Sequence, residues 1–262
     1  AIFCLVNGKD KATYDKVLVL VEQVADMCGL RFLDREVTLM CDFEMAFIRA
    51  IQERHEHVRV KACLFHFTQN LKDNATPVIN SIKRACGKTS EALKLAERTK
   101  RRFMMLPLLP ARLITPQVVG LILRAWTTGC PDHRDAFNSV AASLLRTYVG
   151  VPQEGSETPA SPRFPPELWS VCGMTVRTNN SAESLHSQLN KKVNRNMSLL
   201  RFLTIIEDQM QTSRERIADG CKPEARAVVA EKNRLLAAEL DVLSTAARAS
   251  LSSLTIAASS CR

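Results

Sequence analysis

Residues 37–44 read Val-Thr-Leu-Met-Cys-Asp-Phe-Glu, and residues 58–66 read Val-Arg-Val-Lys-Ala-Cys-Leu-Phe-His. Each stretch begins with β-branched and apolar residues, which is typical of a short buried strand. Each then continues into an apolar pattern with helical spacing, so the sequence predicts a strand followed by a helix, twice in succession. Because such alternation places helices on the faces of a sheet, these two stretches predict an α/β fold.

The flanking segments extend this prediction. The apolar run at 1–6 ends at Asn7-Gly8 and is predicted to form another strand, followed by a helix from Thr13 to Cys28. A proline-rich loop is expected at 150–166. The strand pattern ends beyond Asp73, and helices are expected near 77–86, 90–103, 117–126, 134–148, 181–193 and 199–210, and from 223 onward.

The composition indicates a folded, soluble, intracellular protein. Hydrophobic residues make up 46% of the 262, with only 9 Gly and 11 Pro, which excludes a disordered or fibrous class. The 9 cysteines include no Cys-x-x-Cys pair, so reduced thiols are expected rather than a disulfide framework. No apolar run approaches the length of a membrane span, so no membrane partner is expected. The net charge of +9 favours a polyanionic partner.

Three short motifs contain the residues that could do chemistry. Asp42 follows the first of the two central strands, and Cys63-x-x-His66 follows the second. The third motif runs from Arg177 to Glu183 as Arg-Thr-Asn-Asn-Ser-Ala-Glu and opens a predicted helix. Carboxylates at the carboxyl ends of neighbouring strands, joined by a third from a helix, are an arrangement that holds two Mg²⁺ ions.

In this order, the motifs resemble the catalytic core of the Mutator-like element transposases. Asp42-Phe43-Glu44 is similar to the family's second catalytic aspartate, and Cys63-x-x-His66 is similar to its Cys/Asp-x-x-His signature. Trp169 and the third motif, with Arg177, Asn179, Asn180 and Glu183, are similar to the region of the catalytic glutamate. The segments 5–14 and 106–110 also match, and the resemblance covers residues 1–203.

The resemblance implies a ribonuclease-H-like core whose first strands are missing, with a large all-helical insertion and a helical C-terminal extension. Residues 1–75 would form the partial core, and residues 76–170 the helical insertion and loop. Residues 171–215 would return to the core with the helix of the third carboxylate. Residues 216–262 would form the extension.

The resemblance also implies the chemistry. Asp42 and Glu183 would be two of three carboxylates that hold Mg²⁺ or Mn²⁺ for strand cleavage and transfer in DNA transposition. The first aspartate, and the family's zinc finger, would lie upstream of Ala1, so we expect this chain to be inactive as given. Zinc is not expected at Cys63 and His66, because two ligands do not make a zinc site unless His55 and His57 complete it.

DNA is the expected partner, with nuclear localisation, and a homo-oligomer is an open alternative. The basic residues Lys191, Lys192 and Arg195 follow Glu183 and are predicted to contact DNA phosphates, although a solvated helix face also explains them. A second basic cluster lies at 100–102.

Other interpretations stay open. Asp42 could be a helix N-cap, and Asn180 with Glu183 could form a capping box, without any catalysis. The chain could also be a domesticated transposase derivative that binds DNA or a protein. A third interpretation is a helical interaction module in which the motif matches are accidental.

Overall fold

The computed structural model describes residues 4, 6–153, 155, 159–177, 187, 189–193 and 197–218. In chain order the elements are α1 (Lys11–Met27), β1 (Thr38–Cys41), α2 (Met45–Arg54), β2 (Arg59–Ala62), α3 (Leu64–Cys86), α4 (Glu91–Met104), α5 (Pro116–Gly129), α6 (Asn138–Leu144), α7 (Pro166–Trp169) and α8 (Leu199–Ala218). Short 3-10 turns lie at Leu106–Leu108, Ala111–Leu113 and Pro131–His133, and a π-turn lies at Leu145–Val149. Residues 187 and 189–192 are also helical.

The described residues divide into two compact units. Of the described residues, the first unit contains 4, 6–39, 44–60, 187, 189–193 and 197–218, and the second unit contains 40–43, 61–153, 155 and 159–177. The division passes through both strands. Among the described helices, none is long and apolar enough to cross a membrane.

In the first unit, α1 packs against α2. Asp10 caps α1 by accepting a hydrogen bond from the backbone N–H of Thr13 at 2.9 Å, as an N-cap aspartate does. Leu18 and Val21 of α1, and Ile48 and Ile51 of α2, are buried. These apolar positions recur at helical spacing, so burial of the two faces holds the helices together.

In the second unit, α3 packs against α4 and α6, and α4 packs against α5. The sequence predicts a helix that starts near Pro77, but α3 runs from Leu64 through Pro77 to Cys86. Proline lacks an N–H and normally disfavours a helix interior. Here the apolar residues Phe67, Leu71, Ala75, Ile79 and Ile82 form one buried face along the whole helix, and this burial outweighs the local cost.

The two strands pair in parallel. Arg59 N–H donates to Val37 O at 2.9 Å, and Cys63 N–H donates to Cys41 O at 2.8 Å, so both strands advance in the same direction. A strand, a helix and a parallel strand therefore follow one another as the sequence predicts. Within the described residues, the remaining β-structure is one antiparallel bridge between Val151 and Ala160.

The predicted ribonuclease-H-like α/β core is wrong. The described chain is mostly helical and contains only the two-stranded sheet β1-β2. Of the strand predicted at 1–6, only Cys4 and Val6 lie among the described residues, and neither is in a strand. Strand–helix alternation over about 30 residues is enough for one parallel pair of strands. A larger sheet would need further apolar strands. The chain after Cys63 instead has helical periodicity.

Candidate functional site

Asp42 and His66 meet at the carboxyl end of the parallel pair. Asp42 is the first residue after β1, and His66 lies in the first turn of α3, directly after β2. His66 Nδ1 lies 3.1 Å from Asp42 Oδ1, and the two side chains are 34% and 48% exposed. The parallel register places both residues at the same sheet edge, so two of the three predicted motifs are in contact and accessible to solvent.

Asp42 is not a helix N-cap. The N-cap of α2 is Glu44, which makes no side-chain capping bond. The capping explanation for Asp42 is therefore wrong in this structure, and the described contact of its carboxylate is with an imidazole.

The cysteines of this region are buried. Cys63 is fully buried at the N-cap of α3, and Cys41 is buried at the end of β1. Burial, together with the nearby Asp42 and Cys63, raises the pKa of the Cys41 thiol to about 12. Cys41 therefore stays a protonated thiol at neutral pH.

Arg177 joins the third motif to the second. Its carbonyl accepts a hydrogen bond from Leu64 N–H at 3.0 Å, in the first turn of α3. Arg177 is buried, at 8% exposure, and its guanidinium donates from Nε to Met174 O at 2.8 Å. Asn179, Asn180 and Glu183 lie outside the described residues. The structure thus brings the start of the third motif to the second.

An aromatic cluster supports this edge, and no motif in the sequence predicts it. The Phe43 ring contacts Tyr148 and Phe164, with ring centroids 5.3 and 5.0 Å apart. The Phe67 ring stacks on Trp169 at 4.6 Å. The Trp169 indole N–H contacts the carbonyls of Tyr148 and Phe164, both at 3.1 Å. Because Phe43 follows Asp42 directly, the cluster fixes the backbone that presents the carboxylate.

Tyr148 lies in a π-turn where the sequence predicts a regular helix. Gly150 N–H bonds to Leu145 O at 2.8 Å, an i→i+5 bond that interrupts the helix. Asn70 Nδ2 donates to Tyr148 Oη at 3.1 Å. Burial raises the pKa of Tyr148, and the bond from Asn70 and the charge of Arg163 lower it in part. The glycine at position 150 is the sequence signal for this helix end, and in the structure it has a φ of +107°.

The described donors do not form a divalent-cation site. Asp42 and His66 supply one carboxylate and one imidazole, and the described residues contain no group of three or more metal-ligating side chains. Mg²⁺ prefers oxygen ligands in near-octahedral geometry, so this pair alone does not fit it. Glu183, which the resemblance implies as a ligand, lies outside the described residues.

The other predicted residues have the following positions. Lys191 and Lys192 are exposed and helical, and Arg195 lies outside the described residues. Lys100 pairs with Glu97 at 2.5 Å. His55 Nε2 lies 3.0 Å from Glu22 Oε1, and His57 Nε2 contacts Leu33 O. Both histidines of the zinc alternative therefore have protein partners.

No protein-family model, curated protein or solved structure matches this chain. Residues that are distant in sequence and close in space are therefore the remaining indication of function. Asp42, His66 and Arg177 are the set that meets this condition at the predicted motifs.

Proposed function

We propose that this chain is part of the DNA-handling region of a Mutator-like transposase and that the Asp42–His66 edge faces DNA. The supporting observation is the convergence of motifs. Asp42 and His66 are in contact, and Arg177 bonds to the turn that contains His66. The ancestral reaction would be strand cleavage and transfer in the nucleus.

The convergence favours this proposal over accidental matches. Asp42 and His66 are 24 residues apart, and Arg177 lies more than 100 residues further along the chain. A helical interaction module would not require the third motif to bond to the turn that contains His66, as the Arg177 carbonyl does through Leu64 N–H. A functional site requires groups within hydrogen-bond reach of one another, and Asp42 and His66 meet this condition.

The Asp42–His66 pair can hold and move a proton. A carboxylate near Nδ1 favours the tautomer with the proton on Nδ1, so the neutral imidazole accepts a proton at Nε2. Such a pair can take a proton from a hydroxyl group that attacks a phosphodiester. Strand cleavage would also need charge neutralisation at the phosphate, for which the resemblance implies a divalent cation held by Asp42 and Glu183.

The central test is DNA affinity after neutralisation of Asp42. If Asp42 faces the phosphates, Asp42→Asn removes a repulsion and should tighten binding to a short duplex by about threefold at low salt. Asp135→Asn is the matched control, because Asp135 is an exposed carboxylate of the same unit that accepts a bond from Asn138. Fluorescence anisotropy measures both variants. Equal affinities for the two variants would place the Asp42 edge away from DNA.

A second test concerns the basic residues. The double variant Lys191→Glu, Lys192→Glu should weaken duplex binding and reduce the slope of log affinity against log salt by about 2, because two phosphate contacts are lost. Lys94→Glu with Arg98→Glu is the matched control, since it reverses two exposed charges on α4. A salt slope that changes equally in both double variants would remove Lys191 and Lys192 from the interface.

A further inference from the structure

Cys86 and His133 form a thiol–imidazole pair away from the motifs described above. Cys86 is the last residue of α3, and His133 ends the 3-10 turn Pro131–His133. Cys86 Sγ lies 3.1 Å from His133 Nε2, and both residues are partly exposed. The two side chains come from segments 47 residues apart, so the fold creates the pair.

The backbone holds His133 in place. Its carbonyl accepts a hydrogen bond from the indole N–H of Trp126 at 3.0 Å, and Trp126 is fully buried. Its N–H donates to Cys130 O at 3.2 Å. The ring of His133 is thus presented from a turn that is fixed at both its N–H and its carbonyl. An imidazole held at this distance from a thiol can accept the thiol proton and leave a nucleophilic sulfur.

Other described cysteines provide a contrast. Burial raises the pKa of the Cys130 thiol, and it raises that of Cys41 to about 12, so both remain protonated thiols. Cys4 and Cys28 are exposed. No imidazole nitrogen lies within hydrogen-bond distance of either sulfur among the described residues, whereas Cys86 has both partial exposure and a base.

Three cationic residues lie close to Cys86 along the chain, and the carboxylate of Asp132 adjoins His133. Lys83, Arg84 and Lys88 lie within three residues of Cys86 and line an open groove of about 710 Å³ on α3, which neither Cys86 nor His133 lines. Thr76, Pro77, Asn80 and Gly87 complete the lining, which contains no carboxylate. In the described part of the chain, no carboxylate pairs with these three cations. Their field favours the approach of an anionic reagent.

We propose that Cys86 is a site of reversible thiolation by low-molecular-weight anionic disulfides, with His133 as its acid–base partner. His133 Nε2 takes the thiol proton, and the Cys86 sulfur attacks one sulfur of the disulfide. The disulfide bond breaks as the Cys86 mixed disulfide forms. The departing thiolate takes the proton from His133, so one disulfide is consumed and one thiol is released.

The test uses the reduced 262-residue chain and oxidised glutathione at neutral pH, with peptide mapping by mass spectrometry over time. Cys86 should form the mixed disulfide at least about tenfold faster than Cys28, because His133 supplies general-base assistance that Cys28 lacks. His133→Gln should lower the Cys86 rate severalfold towards that of Cys28 and leave the Cys28 rate unchanged. If Cys86 reacts no faster than Cys28 in the native chain, the proposal is overturned whether or not the variant folds.

A second comparison tests the preference for anionic disulfides. The triple variant Lys83→Gln, Arg84→Gln, Lys88→Gln should slow the reaction of Cys86 with oxidised glutathione and leave its reaction with neutral 2-hydroxyethyl disulfide unchanged. Equal slowing with both reagents would overturn the assigned role of the cations. Neither comparison involves DNA, so these results are independent of the proposed function.

Discussion

The second unit contains two Cys-x-x-His sequences, Cys63-Leu-Phe-His66 and Cys130-Pro-Asp-His133. In both, the cysteine is buried and the histidine is partly exposed. The partners of the histidines differ. His66 lies against the carboxylate of Asp42, and His133 lies against the thiol of Cys86. The same Cys-x-x-His pattern thus places one histidine beside a carboxylate and the other beside a thiol. The segment that packs against each histidine determines which partner it has.

The two regions also share a means of support. A buried tryptophan beside each pair donates its indole N–H to backbone carbonyls. Trp169 bonds to Tyr148 O and Phe164 O, and Trp126 bonds to His133 O. Trp169 stacks on Phe67, which follows His66 in the chain, whereas Trp126 bonds to the histidine residue itself. Substitution of each tryptophan therefore tests whether the indole that stabilises a region also controls the reactivity of the pair beside it.

The largest effect is expected at the first region. Trp169→Ala removes a fully buried indole that stacks on Phe67, and it should destabilise the second unit by about 3–5 kcal/mol through lost contacts and a cavity. Denaturant unfolding followed by fluorescence measures the change, because Trp126 is then the single remaining tryptophan. Trp169→Phe keeps an aromatic ring and should cost less. A cost below about 1 kcal/mol for Trp169→Ala would show that the cluster does not support this edge.

The sequence predicts local elements well and the sheet poorly. The run from Val37 to Cys41 and the run from Val58 to Leu64 become β1 and β2 almost as predicted, because apolar β-branched runs flanked by helical patterns are local signals. The extent of a sheet depends on distant strands, which no local pattern reports. The transposase resemblance implied those strands, and the described chain has helices instead.

The candidate site follows the same rule. Asp42 and His66 could be predicted as neighbours, because parallel strands bring the residues that follow them to one edge. Tyr148 and Trp169 could not be assigned to that edge, since their contacts with Phe43 and Phe67 depend on how α3 packs. Cys86 and His133 carry no shared pattern at all, and only helix packing brings them together.

A smaller effect on stability, with a specific effect on reactivity, is expected at the second region. Trp126→Phe removes the bond to His133 O and leaves a small cavity, at a cost of about 2 kcal/mol. Because His133 loses this restraint, the reaction of Cys86 with oxidised glutathione should slow while that of Cys28 stays unchanged. Mass spectrometry of both peptides in one sample measures this. An unchanged Cys86 rate would mean that the turn holds His133 without the indole bond.

The smallest effect is expected at a third histidine, His55 in the first unit, whose partner Glu22 is shared with Arg54. Glu22 accepts hydrogen bonds from the Arg54 guanidinium, and His55 Nε2 lies 3.0 Å away. The Arg54 guanidinium holds the pKa of Glu22 below its usual 4.5, and His55 adds to this effect. Arg54 is 38% exposed, so solvent screens the pair and Glu22→Gln should cost about 1 kcal/mol or less at pH 7.

The pH dependence of that difference identifies its cause. A carboxyl group whose pKa is lower in the folded state stabilises the fold above its unfolded pKa, and this contribution is lost as the pH falls through the lower folded pKa. The wild-type and Glu22→Gln free energies of unfolding should therefore differ above pH 4.5 and converge as the pH falls below it. Glu91→Gln is the control, because Glu91 pairs with Lys94 on an exposed helix surface and should show a smaller difference. If the difference in free energy of unfolding between wild type and Glu22→Gln stays unchanged at low pH, it comes from packing and not from charge. The contact of His55 with Glu22 would then differ in kind from those of His66 and His133, whose partners define their chemistry.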